Sequence, residues 1–264
     1  MKAMIFAAGL GTRLKPITDT MPKALVPVCG QPLLYHVICK LVAAGYDDLV
    51  VNVHHFPDQI IHYLHSHDFG ARISVSDERD FLRETGGGIK YARPLLVNEE
   101  IPGHPSTSSG TAGNDGDEPF LVHNVDIVSN LDLKWLRERH RPDALATVVV
   151  SERKTQRYFL FDDDGRMKGW TNVATGEVRS PFPDIDPDKC RKLAFAGIHL
   201  LSPAVFKAFD ELGFGERFSI VDFYLKACAD HPIYAAVPED FVMVDVGKFD
   251  ALPEAEATCR RLLP

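Results

Sequence analysis

Residues 3–13 read Ala3-Met4-Ile5-Phe6-Ala7-Ala8-Gly9-Leu10-Gly11-Thr12-Arg13, and a little further on come Met21-Pro22-Lys23. A short apolar run that stops at glycine predicts a buried strand ending in a tight loop. Gly9 and Gly11 let the backbone take φ > 0 and approach a ligand closely. N–H groups from Ala8 onward then converge on phosphate oxygens, and Thr12 adds a hydroxyl. Arg13 supplies a planar fork for oxygen pairs, and Lys23 a mobile point charge suited to an α-phosphate. A dinucleotide fingerprint would need Gly or Ala at the position of Leu14, and a P-loop would need Gly-Lys-Ser/Thr after its spacer. A plain strand-to-loop turn accounts for two glycines but not for Thr12, Arg13 and Lys23 beside them.

Outward from that loop, short β-rich runs at 2–8, 48–54, 72–76, 119–124 and 144–150 alternate with helical patterns around 31–44, 57–67, 86–92 and 132–141. Such alternation predicts a parallel sheet with crossover helices. Leu33, Leu34, Val37, Ile38 and Leu41 recur at helical spacing, with Gly45 placed for a C-terminal cap. Beyond residue 150 the pattern turns to hairpins, 157–161 and 166–170 around an Asp-Asp-Asp-Gly turn, followed by a long apolar strand at 193–201. Helices at 203–209 and 219–229, strands at 233–236 and 241–244, and a last helix near 249–261 complete the reading. The expected fold is α/β: a Rossmann-like mixed, mostly parallel central sheet flanked by helices, as one domain over 1–264. Residues 1–150, which carry the phosphate loop, form one half of it and residues 151–264 the other. The Gly-, Ser-, Pro- and Asp-rich segment 98–118 has little to bury and reads as a flexible insertion.

With 264 residues, 45% of them hydrophobic, the chain can bury a sizeable core. A net charge of −8 argues against a nucleic-acid surface, which relies on clustered Lys and Arg. The sequence shows no run of apolar residues long enough for a membrane span and no signal-peptide pattern, so a cytoplasmic monomer or small homo-oligomer is expected. Five scattered cysteines without a C-x-x-C pair predict free thiols rather than a disulfide framework or zinc cluster.

Asp126 follows the strand Phe120-Leu121-Val122-His123-Asn124, where open α/β sheets bind ligands, and Asp245 ends a second strand. Either alone reads equally as a turn or capping residue. Together they offer the hard oxygens that Mg²⁺ takes when substrate phosphates and waters fill its other positions. The stretch Glu84-Thr85-Gly86-Gly87-Gly88-Ile89 opens a helix with free N–H groups, and its glycines, poor helix formers, leave room for a flat base.

In order and spacing these motifs resemble the sugar-1-phosphate nucleotidyltransferases, also called nucleotide-sugar pyrophosphorylases. That family's signature G-x-G-T-R followed by P-K is matched by Gly9, Gly11, Thr12, Arg13, Pro22 and Lys23. The later motifs are matched at 84–88, 123–126 and 244–247. The resemblance implies a nucleotide-diphospho-sugar transferase fold, catalytic Arg13, Lys23 and Asp126, and Mg²⁺ held by Asp126 and Asp245. It also implies a nucleotide bound by Ala8, Gly9, Gly11, Thr12, Arg13 and Lys23, with Glu84, Thr85, Gly86 and Gly87 reading the base. Asn124 and Gly197 are expected at the sugar phosphate. Lys192 joins them as a cation just before the 193–201 strand. Val125 stands where the family has Gly before the first metal aspartate.

The implied reaction is attack of a sugar-1-phosphate oxygen on the α-phosphorus of a nucleoside triphosphate, releasing pyrophosphate. A phosphate monoester with a second pKa of about 6 is already dianionic near neutrality, so no side-chain nucleophile is needed, and positioning and charge neutralisation carry the catalysis. Among relatives the chain looks most like the uridylyltransferases acting on N-acetylmuramic acid 1-phosphate, which makes UTP the expected donor. Guanylyltransferases acting on mannose- or heptose-1-phosphate are the alternative, and a catalytically silent nucleotide-sensing domain is the reading from another class.

Overall fold

The computed structural model describes residues 1–97 and 118–262, so the insertion expected at 98–118 lies, apart from Glu118, outside the described residues. Strands β1 (Lys2–Phe6), β2 (Asp48–Val53), β3 (Arg72–Asp77) and β4 (Phe120–Asn124) run parallel in the order β4-β1-β2-β3. Parallel strands joined by crossover helices are covered on both faces, and β1 accordingly buries Ala3, Met4 and Ile5 completely. The crossovers are helix α1 (Leu33–Ala43) and helix α2 (Pro57–His65), with helix α3 (Glu84–Tyr91) following β3. Leu33, Leu34, Val37, Ile38 and Leu41 form the buried stripe of α1, and the Gly45 N–H closes on the Val42 carbonyl, the cap its sequence calls for.

The second half adds β5 (Ala146–Ser151), β6 (Arg157–Phe161), β7 (Met167–Asn172), β8 (Glu177–Arg179), β9 (Arg191–Leu201) and β10 (Ile233–Ala236). Here the structure departs from the expectation that 144–150 continues the parallel series. β9 takes the free edge of β4 in antiparallel sense, and β5 pairs with the far side of β9 and, in parallel, with β10. Both candidate strands are apolar along most of their length, so composition could not rank them for that edge.

β9 serves three partners because it bends. Its register against β5 skips between Phe195 and His199, and Gly197 in that gap has φ of 72°, a bulge that turns the strand. Residues 191–193 then pair with β6, from which β7 and β8 continue an antiparallel extension. Two apolar cores result. One packs α1, α2 and the helix Leu252–Leu262 around Ile5, Leu49 and Leu121, and the other packs the helices Ala204–Glu211 and Ile220–Ala227 around Met4, Val122 and Phe161.

Candidate active site

The loop after β1 is set from below by a buried polar chain. The Ala7 and Ala8 N–H groups both donate to Asn52 Oδ1, at 2.8 and 3.3 Å, and Asn52 Nδ2 donates to Glu78 Oε1 at 2.8 Å. Glu78 is fully buried. Burial pushes its carboxyl above the ordinary range, opposed by the bonds from Asn52 and the Arg83 N–H. Asn52 ends β2 and Glu78 follows β3, so the ends of two parallel strands hold the loop that leaves a third. Sequence reasoning missed this pair; the available signal was a polar residue, Asn52, inside an apolar strand.

Gly11 has φ of 64°, and a Cβ there would lie 2.8 Å from Thr18 Cγ2, so the turn into the 3₁₀ segment Thr12–Leu14 requires glycine twice over. Gly9 differs from the expectation: its φ is not positive, and a Cβ on it would meet nothing within 4 Å. Its use is open space above the backbone.

Asp126 and Asp245, far apart in sequence, meet. The short strand Met243–Asp245 pairs with Ile127–Ser129, Asp245 opposite Ile127, and the Val246 N–H donates to the Asp126 carbonyl at 2.8 Å. Desolvation in the cleft and then the Asp126 carboxylate push Asp245, whose side chain still reaches solvent, above the usual carboxylate range, with Lys23 and Arg13 pulling the other way. Lys23, itself buried, bonds Asp126 Oδ2 directly. Gly247 closes the arrangement: a Cβ there would lie 2.6 Å from Asp245 Oδ1 and 2.7 Å from Arg13 Nη2. The Arg13 guanidinium touches this loop without a hydrogen bond of its own among the described residues. Two carboxylates converging beside two cations fit one Mg²⁺ whose remaining positions go to phosphate oxygens and water. Among the described residues no cluster of three or more His, Cys, Asp or Glu offers a fuller protein cage.

The glycines of α3 have a different occupation from the one expected. The Gly86 and Gly87 N–H groups both donate to the Phe218 carbonyl, at 2.9 and 3.1 Å. A Cβ would strike the Phe218 ring at 2.3 Å from position 86 and the Glu216 carbonyl at 2.2 Å from position 87. Close approach by the protein's own 216–218 segment therefore accounts for Gly86 and Gly87, while a Cβ on Gly88 would lie 2.9 Å from Glu78 Oε1. Thr85 Oγ1 accepts from the Ile220 N–H at 2.9 Å, and Glu84, at φ of 61°, pairs with Arg217 at 3.0 Å.

On the acceptor side, Asn124 and Gly197 touch: a Cβ on Gly197 would lie 2.6 Å from Asn124 Nδ2. Lys192 is not brought to them. It lies on the part of β9 that pairs with β6, and its ammonium bonds Asp188 at 2.6 Å. An open cleft of about 610 Å³ is lined instead by Lys154, Thr155, Gln156, Arg157 and Lys248, which sequence reasoning did not single out.

The Nucleotidyl transferase family profile matches residues 2–261. The chain is 32% identical over 267 residues to an N-acetylmuramate alpha-1-phosphate uridylyltransferase from Caulobacter vibrioides, covering 97% of this chain and 95% of that protein. It is 28% identical over 209 residues to a mannose-1-phosphate guanyltransferase from Eremothecium gossypii, covering 78% of this chain and 51% of that one. Its fold is that of HddC from Yersinia pseudotuberculosis, solved in complex with GMP-PN, with a TM-score of 0.71 at 20% identity over 98% of this chain and 99% of that one.

Proposed function

The chain belongs to the nucleotidyl transferase family and is a nucleotidyltransferase acting on sugar 1-phosphates, and from that premise we propose that it transfers UMP from UTP to N-acetylmuramate 1-phosphate. The observation that carries the chemistry is the meeting of Asp126 and Asp245 beside Lys23 and Arg13 at the glycine turn. What favours this donor and acceptor is the near end-to-end likeness to the Caulobacter uridylyltransferase, whereas the match to the guanyltransferase spans about half of that longer protein.

A 1-phosphate oxygen forms the new bond to the α-phosphorus while the bond from that phosphorus to the bridging oxygen breaks, and pyrophosphate leaves with the electron pair. Two anions at about 4 Å repel by roughly 4 kcal/mol per unit-charge pair at an effective dielectric near 20, so cations must offset that approach. Arg13 holds the departing pyrophosphate. Lys23, which also pairs with Asp126, holds the α-phosphate as charge moves across it. The 9–12 backbone and Thr12 cradle the remaining phosphates, Glu84 and Thr85 border the base, and Asn124 with Gly197 faces the sugar. Asp126 and Asp245 would hold Mg²⁺, which supplies charge neutralisation between the reacting phosphates when bound.

A second reading, GTP with mannose- or heptose-1-phosphate, is supported by the guanyltransferase relative and by the GMP-PN complex of HddC. Pyrophosphate release with Mg²⁺, measured for four nucleoside triphosphates against a panel of sugar 1-phosphates, separates the two. UTP with N-acetylmuramate 1-phosphate is expected to give the highest kcat/KM. A maximum at GTP with a mannose or heptose phosphate would overturn that assignment in favour of the second.

A further inference from the structure

The reacting phosphates occupy Arg13, Lys23 and the two aspartates, which leaves the cations of the open cleft without a role. The side chains of Lys154, Arg157 and Lys248 make no hydrogen bond or ion pair among the described residues, the Lys248 carbonyl accepting from the Ala251 N–H and Arg157 pairing with Asn172 only through the backbone. That is unexpected in a chain with 37 acidic residues against 29 basic ones. Glu152, the nearest acid in sequence, is turned to Arg191 at 3.8 Å. The cleft, about 610 Å³, is shallow and open to solvent, and Thr155 and Gln156 supply neutral donors and acceptors for hydroxyl or amide groups.

Two links tie this cleft to the acceptor side of the site. Lys248 directly follows Gly247, which lies against Arg13 and Asp245. The 152–157 loop is pinned to β9 by Arg153 Nη2 donating to the Phe195 carbonyl at 3.1 Å, two residues before the Gly197 that touches Asn124. The loop is also held internally, the Thr155 N–H donating to Tyr158 Oη at 2.8 Å. The cations therefore stand on a held frame that adjoins the acceptor side through Lys248 and through the bond of Arg153 to β9.

We propose that Lys154, Arg157 and Lys248 form a second anion subsite, which holds a carboxylate carried by the sugar and makes the enzyme selective for acidic sugar 1-phosphates. Arg157 is the member best suited to it, since a guanidinium fork takes both carboxylate oxygens. The proposal rests on the sugar-1-phosphate reading above and deepens it.

The test compares N-acetylmuramate 1-phosphate with N-acetylglucosamine 1-phosphate, which lacks the lactyl carboxylate, using UTP and the full chain. The acid-to-neutral ratio of kcat/KM is expected to fall about tenfold or more in Arg157→Gln, as loss of a charged hydrogen bond predicts, through a raised KM for the acidic sugar. Lys154→Gln and Lys248→Gln should lower it less, and Arg157→Lys should restore part of it. A ratio unchanged in all three glutamine variants overturns the proposal. Equal loss on both sugars also overturns it, because the cations would then be holding the shared 1-phosphate. Equilibrium binding of the two sugar phosphates reads the same ratio without turnover. A wild-type protein that prefers the acidic sugar but releases no pyrophosphate contradicts the activity alone, whereas equal binding of both sugars contradicts the subsite.

Discussion

At the nucleotide end of the cleft, the glycine loop is fixed from beneath by Asn52 and the fully buried Glu78, whereas at the acceptor end Lys154 and Lys248 on connecting segments and Arg157 at the start of β6 stand in solvent. The first end is built where parallel strands finish, and the second is built around a bulged antiparallel strand. A triphosphate presents the same oxygens whatever its base, so its loop gains from rigidity. Acceptors differ in their substituents, and exposed side chains are what can be exchanged without disturbing a core.

The sharpest way to break this comparison is at the reaction end itself. Arg13→Ala should lower pyrophosphate release by about 10³-fold, the scale of a transition-state arginine, with little change in Tm because the Arg13 side chain makes no hydrogen bond among the described residues. A large loss of Tm would show that Arg13 is part of the frame instead. Gly87→Ala tests the frame: with Glu216 O at 2.2 Å from the new Cβ, a destabilisation of about 3 kcal/mol or more is expected in urea unfolding, since backbone on both sides must move.

The seam between the two ends carries two fully buried histidines, His123 on β4 and His199 on β9, held by burial to about 4 and about 3. Their folded values lie below the unfolded value of about 6.5, so the unfolded chain binds more protons as pH falls. Stability is complete above about pH 6.5 and is lost below it, by on the order of 2 kcal/mol per histidine at pH 5. Urea midpoints at pH 7 and pH 5 should show that loss, and His199→Gln should remove about half of it. The smallest effect is expected beneath the loop: Asn52→Ala should remove about 1–2 kcal/mol of stability by orphaning the Ala7 N–H, and raise KM for the nucleotide more than for the sugar phosphate. Equal changes in both KM values would erase the distinction between the two ends.

What was legible in the sequence follows the same division. The parallel half is written in local pattern: α1 shows its buried stripe and cap, and the turn at Gly11 needs no long-range information. The meeting of Asp126 and Asp245 was legible because Asp126 follows a strand, Asp245 ends one, and the family resemblance implies one metal held by both. The reason for the α3 glycines was not, because it lies in contacts with residues 216–218, more than a hundred positions away. For the same reason proximity to a strand pointed to Lys192, while the bend at Gly197 separates that residue from Asn124 and commits it to Asp188. The cations of the cleft are brought side by side only when the segment after β5 and the segment after Asp245 fold together.

Asp126 and Asp245 act as one unit beside the glycine turn. Magnesium-dependent pyrophosphate release by Asp126→Asn, Asp245→Asn and the double variant tests this most directly. Each single substitution should lower turnover by orders of magnitude, and the double variant should fall little further than the worse single one, as residues acting together do. Wild-type turnover in either single variant, or losses that multiply in the double, would contradict it.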